Sequence, residues 1–254
     1  MARTLALALT VALLAALPPA AVARQTVKLT AGFSPDRLST PTTISFGFKI
    51  SAVGRRVPAA LTGIDLRYPV NIGLATSGLG VATCILADLE TSGPSGCPAN
   101  SRMGFGTALA DIQVGRTILE EPASITLLAG PAKEGHLNFL VYADGEAPVS
   151  AQIVFSARLL PEPPPFGGRL HFDIPLAEGL PEGPDVSIVK LRTTLGPRGL
   201  TYYERIHGRT LAYKPSGVLL PSRCPHGGFP FAASVTFQDN TRAVARTAVP
   251  CPHR

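Results

Sequence analysis

Residues 224–251 read CPHGGFPFAASVTFQDNTRAVARTAVPC, two cysteines bracketing an alternating hairpin. Phe229, Phe231, Ala233, Val235 and Phe237 take every second position, the period of a strand with one buried face. Ala243, Ala245, Thr247 and Val249 repeat that period after the turn. A three-residue loop at Asp239–Asn240–Thr241 sets Phe237 opposite Ala243, Val235 opposite Ala245 and Phe231 opposite Val249. A two-residue loop at Asp239–Asn240 sets Phe237 opposite Arg242 and Ala233 opposite Arg246 instead. A one-residue slip turns a whole strand face over, so the burial pattern favours the longer loop. Thr241 is its weak point, because a β-branched residue resists the left-handed conformation such loops use. In this register Phe229 faces Cys251, which brings Cys251 towards Cys224.

Outward from the hairpin, the composition sets the class. The chain has 254 residues, 25 Gly and 25 Pro, scattered as punctuation between short apolar runs. That pattern predicts many short strands rather than helices. The fold expected is an all-β antiparallel sandwich of Ig-like or jelly-roll character. Alternation predicts strands at Val27–Ala31, at Ile44–Ile50 through Phe46 and Phe48, and at Ile64–Tyr68, ended by Pro69. Further strands are expected at Ser124–Ala129, His136–Tyr142, Val149–Leu159, Arg169–Ile174, Val186–Leu195, Leu200–Ile206 and Thr210–Tyr213. Arg55–Arg56 falls in a loop, as does Ser92–Cys97, while Cys84–Glu90 has helical spacing through Ile85, Leu86 and Leu89.

Residues 1–23 have the layout of a secretory signal peptide: Arg3, an apolar run Leu5–Leu17, then the small-residue site Ala21-Val22-Ala23. The run is too short to span a bilayer, and Pro18-Pro19 follows it. No later apolar run is long enough to cross a membrane, so a released or envelope-associated protein is expected. Cleavage would remove one cation and no acid from a chain of net charge +6. The rest, 24–254, is read as a single large β-sandwich domain. Pro161-Glu162-Pro163-Pro164-Pro165 offers an alternative division into β domains of about 24–160 and 166–254.

All four cysteines, Cys84, Cys97, Cys224 and Cys251, lie after the signal. An even number in an exported chain predicts disulfides. Of three pairings, nearest neighbours, Cys84–Cys97 and Cys224–Cys251, are preferred.

Around the first pair the sequence runs Cys97-Pro98-x-x-Ser101-x-x-Gly104-x-Gly106-x-Ala108, preceded by Cys84. Around the second it runs Pro221-x-x-Cys224-Pro225-x-Gly227-Gly228-Phe229-x-Phe231, closed by Cys251. Together these motifs resemble those of uncharacterised secreted proteins of high-GC bacteria, actinobacteria especially. The resemblance implies an exported, disulfide-bonded β protein and carries no activity and no site residue.

Chemical motifs are sparse. Gly93-Pro94-Ser95-Gly96 has the wrong spacing for a nucleophile elbow, and no phosphate-binding P-loop, dinucleotide fingerprint, C-x-x-C, H-E-x-x-H or calcium loop occurs. No catalytic residue, cofactor-binding residue, metal ligand or cofactor is assigned. Cys224-Pro225-His226 and Cys251-Pro252-His253 would suit zinc only with free thiolates, against the oxidation expected outside the cell. Glycoside hydrolysis needs two carboxylates across a cleft, and Glu120, Glu121, Asp173, Glu178, Glu182 and Asp185 are available. Glu120 and Glu121 are adjacent, so a strand would send them to opposite faces. Tyr202-Tyr203-Glu204-Arg205-Ile206-His207-Gly208-Arg209 mixes rings and cations, as sugar- or base-stacking surfaces do, but also reads as a hairpin turning at His207-Gly208 with one tyrosine in and one out. Gly104, Gly106 and Ala108 leave a flat strip for a neighbouring backbone or a ligand. The charge lacks the dense basic run of a nucleic-acid binder, but suits attraction to an anionic cell envelope. The leading expectation is a non-enzymatic protein that binds or scaffolds, its partner a cell-envelope polymer or an extracellular protein. The alternative is a carbohydrate-active protein, either a sugar-binding sandwich or a glycoside hydrolase.

Overall fold

A computed structural model describes residues 25–54, 57–74, 82–147, 150–176, 186–196, 201–214 and 217–252. The long strands are β1 (Gln25–Ser34), β2 (Pro41–Ala52), β3 (Leu61–Pro69), β5 (Arg102–Val114), β6 (Thr117–Lys133), β7 (His136–Gly145), β8 (Gln152–Pro161), β9 (Phe166–Asp173), β10 (Ser187–Leu195), β14 (Phe229–Phe237) and β15 (Arg242–Val249). Two-residue strands β4 (Gly73–Leu74) and β13 (Val218–Leu219) extend the sheet, and β11 (Tyr202–Ile206) with β12 (Arg209–Tyr213) forms a separate hairpin. The α-helix, α1, is Leu86–Ser92.

The fold is all-β and antiparallel, with both disulfides paired as nearest neighbours, Cys84–Cys97 and Cys224–Cys251. The two sheets of a sandwich are replaced by one. Leaving out β4 and β13, the strands follow in the order β1-β2-β10-β5-β6-β7-β8-β9-β3-β14-β15, and this sheet is barrel-like. Strands on both sides of the proline run belong to it, since β9 pairs with both β8 and β3.

Parity sets the direction of the strands at the closing seam. Every ladder is antiparallel, so the first and last of eleven strands run in the same direction. β1 lies beside β15, but no ladder joins them. Side chains close the seam instead. The Gln25 amide donates to the Asp239 carboxylate at 3.1 Å and to the Thr241 hydroxyl at 3.1 Å. At the other end the Phe33 ring meets Phe229 edge-on, centroids 5.2 Å apart.

Directly paired residues share a sheet face. One inward row therefore runs Phe33, Ile44, Leu195, Gly104, Leu127, Val141 and Phe155, from β1 to β8. Another runs Phe139, Ala157, Phe172, Ile64, Val235 and Ala243, from β7 to β15. These rows form the main core.

A second, smaller core lies outside the barrel wall. Leu128, Leu140 and Tyr142 point outward yet are buried, because Cys84 and Leu89, each fully buried, cover them. The Cys84–Cys97 bridge and the hydrogen bond from Cys84 N–H to the Ala129 carbonyl, 2.8 Å, hold α1 on this patch.

The C-terminal hairpin has the predicted faces in a different register. Phe229 pairs with Val249, Ala233 with Ala245 and Val235 with Ala243, two residues from the expected pairing. The loop is Gln238–Asp239–Asn240, with Asn240 at φ 61° rather than Thr241 in the left-handed position. Asparagine tolerates that conformation and threonine does not. A slip of two preserves every inward residue.

Candidate binding cavity

Side chains can just fill an eight-stranded barrel, and eleven strands enclose more than that. Here the inward positions are also small along one wall: Gly104, Gly106, Ala108 and Ala110 on β5, then Ala123 on β6 and Ala143 and Gly145 on β7. The interior accordingly holds two cavities, of about 60 Å³ and 100 Å³. The smaller is walled by aliphatic and aromatic side chains such as Leu66, Met103, Leu159 and Phe231, with Tyr68 its one polar side chain. The larger runs past Ala108, Ala123, Ile153 and Ile188, and its polar side chains are Thr193 and Glu121. Both touch Phe46, Leu127 and Phe172, which form a waist between them along the barrel axis.

The glycine strip has a packing role and a cavity role. A Cβ on Gly104 would meet the Thr194 carbonyl, and one on Gly106 the Arg192 carbonyl, so these glycines let β10 approach. Ala108, next on the same face, lines the larger cavity. Tyr68 lies flat over Gly168, where a Cβ would overlap its ring, and burial raises the tyrosine's pKa.

The sequence candidates are dispersed. Glu120 is exposed on the outer face, whereas Glu121 is 4% exposed and faces the larger cavity, the opposite orientations a strand requires. Asp173 is on the outer face, where His171 bridges it to Asp65 through both ring nitrogens, at 3.1 Å and 2.7 Å. Arg158, Arg169, Arg67 and Glu162 continue that surface network across β3, β8 and β9. Its charges face one another on a barrel wall, so they bridge strands rather than line a cleft. Glu178, Glu182, Asp185 and Arg55–Arg56 lie outside the described residues. The bond between Cys224 and Cys251 leaves no thiolates for zinc, and His253 is also outside the described residues.

The tyrosine-rich stretch is the anticipated hairpin, with His207 at φ 47° and Gly208 at φ 80° in its turn. Tyr202 is 1% exposed and Tyr203 58%. The Tyr202 hydroxyl donates to the Arg102 carbonyl, and its ring meets Tyr213 edge-on at 5.7 Å. Burial first, then Tyr213, pushes the Tyr202 pKa up from 10.0 to about 12, with Arg102 opposing. Below pH 10 the hydroxyl is neutral in both folded and unfolded chains. Between pH 10 and 12 only the unfolded chain loses the proton, so stability is expected to fall by up to about 1.4 kcal/mol per pH unit from this group. Denaturant unfolding at pH 9 and pH 11, with a 295 nm titration of the wild type and Tyr202→Phe, checks this. A Phe variant with the same alkaline loss as wild type would assign the loss elsewhere.

The cavity escaped the sequence reading, although its signal was present: glycine and alanine at alternate positions of neighbouring strands mark a wall that its own side chains do not fill. No protein-family model, curated protein or solved structure matches this chain.

Proposed function

We propose that this chain is an exported, non-enzymatic binding protein that holds an elongated apolar ligand, of the alkyl-chain kind, inside its barrel. One observation carries the reading: a wide barrel whose inward face is apolar nearly throughout and whose core is left incompletely filled. Empty cavities lined by Leu, Ile and Phe stay dry and take apolar guests, and one of roughly 150 Å³ admits benzene. Two such spaces in line, meeting at Phe46, Leu127 and Phe172, suit a chain more than a disc. Export is supported by the layout of residues 1–23 and by two disulfides, which persist in oxidising compartments. Among the described residues no helix is long and apolar enough to cross a membrane. Sugar hydrolysis is not favoured, because Glu121 faces the interior while Glu120 and Asp173 stand on the outer face on separate strands, β6 and β9, with β7 and β8 between them.

The test is to extract the purified protein with organic solvent, identify what is released by mass spectrometry, and titrate the stripped protein with fatty acids of graded length. Ala123→Leu fills the larger cavity and is expected to weaken binding about ten-fold, or 1.4 kcal/mol. Phe172→Ala opens the waist and is expected to shift the preference towards longer chains. Stripped wild type that takes up no chain of any length, or an Ala123→Leu variant that folds and binds unchanged, overturns the proposal.

A further inference from the structure

We propose that the outer face of β1, β2, β10 and β5 binds an acidic glycan, independently of the barrel interior. Lys28, Lys49 and Lys190 stand directly opposite one another on three neighbouring strands. Paired side chains of this kind sit roughly 5 Å apart at Cβ, and like charges there destabilise a sheet. None of the three makes an ion pair among the described residues. Their outward neighbours Thr26, Thr30, Ser51 and Leu109 are uncharged, Arg192 adds a fourth cation, and the acids on this side, Asp111 and Glu120, stand opposite each other further along β5 and β6. Exposed Arg242 and Arg246 continue the positive field across the seam on β15. The fold thus holds a cationic row that costs stability when nothing covers it.

Beside the row lies a groove of about 470 Å³. Its walls carry the hydroxyls of Thr30, Ser45, Thr107 and Thr194 and the side chain of Arg192. Gly47 forms its floor, where a Cβ would lie 2.6 Å from the Leu191 carbonyl oxygen and 3.4 Å from the Arg192 stem. At the rim stands Phe105, 57% exposed although it is on a strand. Each part has a counterpart in one ligand. The guanidinium pairs with a carboxylate or phosphate. Hydroxyls exchange hydrogen bonds with sugar hydroxyls, and an exposed ring stacks on a sugar face. A linear chain enters a groove that a flat bilayer spans without filling. An acidic, sugar-containing polymer meets all of these features, with uronate and phosphodiester as the two sources of the acid.

The experiment uses the full mature chain, with polygalacturonate for the uronate source and a sugar-substituted glycerol teichoic acid for the phosphodiester source. Neutral dextran, inorganic polyphosphate and vesicles of phosphatidylglycerol with phosphatidylcholine are the comparisons. Binding to at least one acidic glycan is expected, weakening as NaCl rises from about 50 to 200 mM because the charges are exposed. Which polymer binds identifies the acid. Lys49→Glu with Arg192→Glu is expected to cut that affinity more than ten-fold while raising thermal stability, because an acid in the middle of the row relieves its repulsion, and to leave fatty-acid binding unchanged. Phe105→Ala is expected to weaken glycan binding several-fold and leave polyphosphate binding as it was. The proposal is overturned if neither glycan binds at low salt, if the charge reversal leaves affinity unchanged, or if vesicles bind and glycans do not. Loss of fatty-acid binding alone would bear only on the barrel interior.

Discussion

Phe229→Ala is expected to lower the unfolding free energy by about 3–5 kcal/mol, the range for emptying a fully buried aromatic site. Phe229 is 0% exposed at the start of β14. Its ring stands edge-on to Phe33 at 5.2 Å, and Phe231 is 5.9 Å from the same ring. Elsewhere around the barrel, neighbouring long strands are joined by ladders of backbone hydrogen bonds. At the seam between β1 and β15 there is no ladder, so removing the ring takes away more than contact area. It takes away an aromatic contact that seats β1 against the last hairpin, at the opposite end of the seam from the hydrogen bonds of Gln25 with Asp239 and Thr241. Equilibrium urea unfolding gives the global loss. Hydrogen exchange should show the outer edge of β1 opening ahead of β2 in the variant. A double-mutant cycle with Phe33→Ala should return a coupling of about 0.5–1.5 kcal/mol, the worth of an edge-to-face pair beyond its buried area. A loss under about 1 kcal/mol, or zero coupling, would mean that the seam is held by something other than these rings.

That seam also marks where local sequence stops being informative. Alternation in Ile44–Ile50 or Phe229–Phe237 records that a strand has one buried face, and does so in the same way for a sandwich and for a barrel. What separates the two here is β10 inserted between β2 and β5, a pairing of residues near 190 with residues near 48 and 108. Nothing in the 187–195 stretch announces those partners. The same limit hid the cavity, because Ala108, Ala123 and Ala143 become one wall only once β5, β6 and β7 are laid side by side. Short-range features were readable. The turn at His207-Gly208, the opposite faces of Glu120 and Glu121, and both disulfide partners depend on residues near in sequence. The hairpin register failed by two residues for a local reason, the choice between Asn240 and Thr241 for one left-handed position. The outer apolar cluster is half legible: helical spacing marks Leu89, but nothing local in the sequence marks Leu128, Leu140 and Tyr142 as its seat.

Replacing Cys224 and Cys251 together by alanine is expected to cost about 3.5 kcal/mol, and to do so mainly without altering the native barrel. The bridge spans 27 residues of sequence, and loop-closure entropy for that length gives this figure. In the folded chain the two strands it brackets are already joined residue by residue from Phe229–Val249 to Thr236–Arg242. Their register therefore survives without the sulfurs, and the loss falls on the unfolded chain, which gains freedom. The first bridge differs. Its span of 13 gives a similar entropic figure, about 3 kcal/mol, but its segment is joined to no strand ladder and rests on the wall through Cys84, Leu89 and the single hydrogen bond from Cys84 N–H to the Ala129 carbonyl. Losing Cys84–Cys97 is expected to release α1 before the barrel unfolds and to uncover Leu128, Leu140 and Tyr142. The two double-alanine variants thus separate by mechanism. The 224/251 variant should keep the native near-ultraviolet spectrum and unfold in a single transition at lower denaturant. The 84/97 variant should bind a hydrophobic dye and show Tyr142 titrating closer to its ordinary value, since burial is the first cause of its raised pKa. If instead the 224/251 variant binds the dye while still folded, the hairpin depends on its bridge for structure as well as for stability, and the seam is where that dependence would be found.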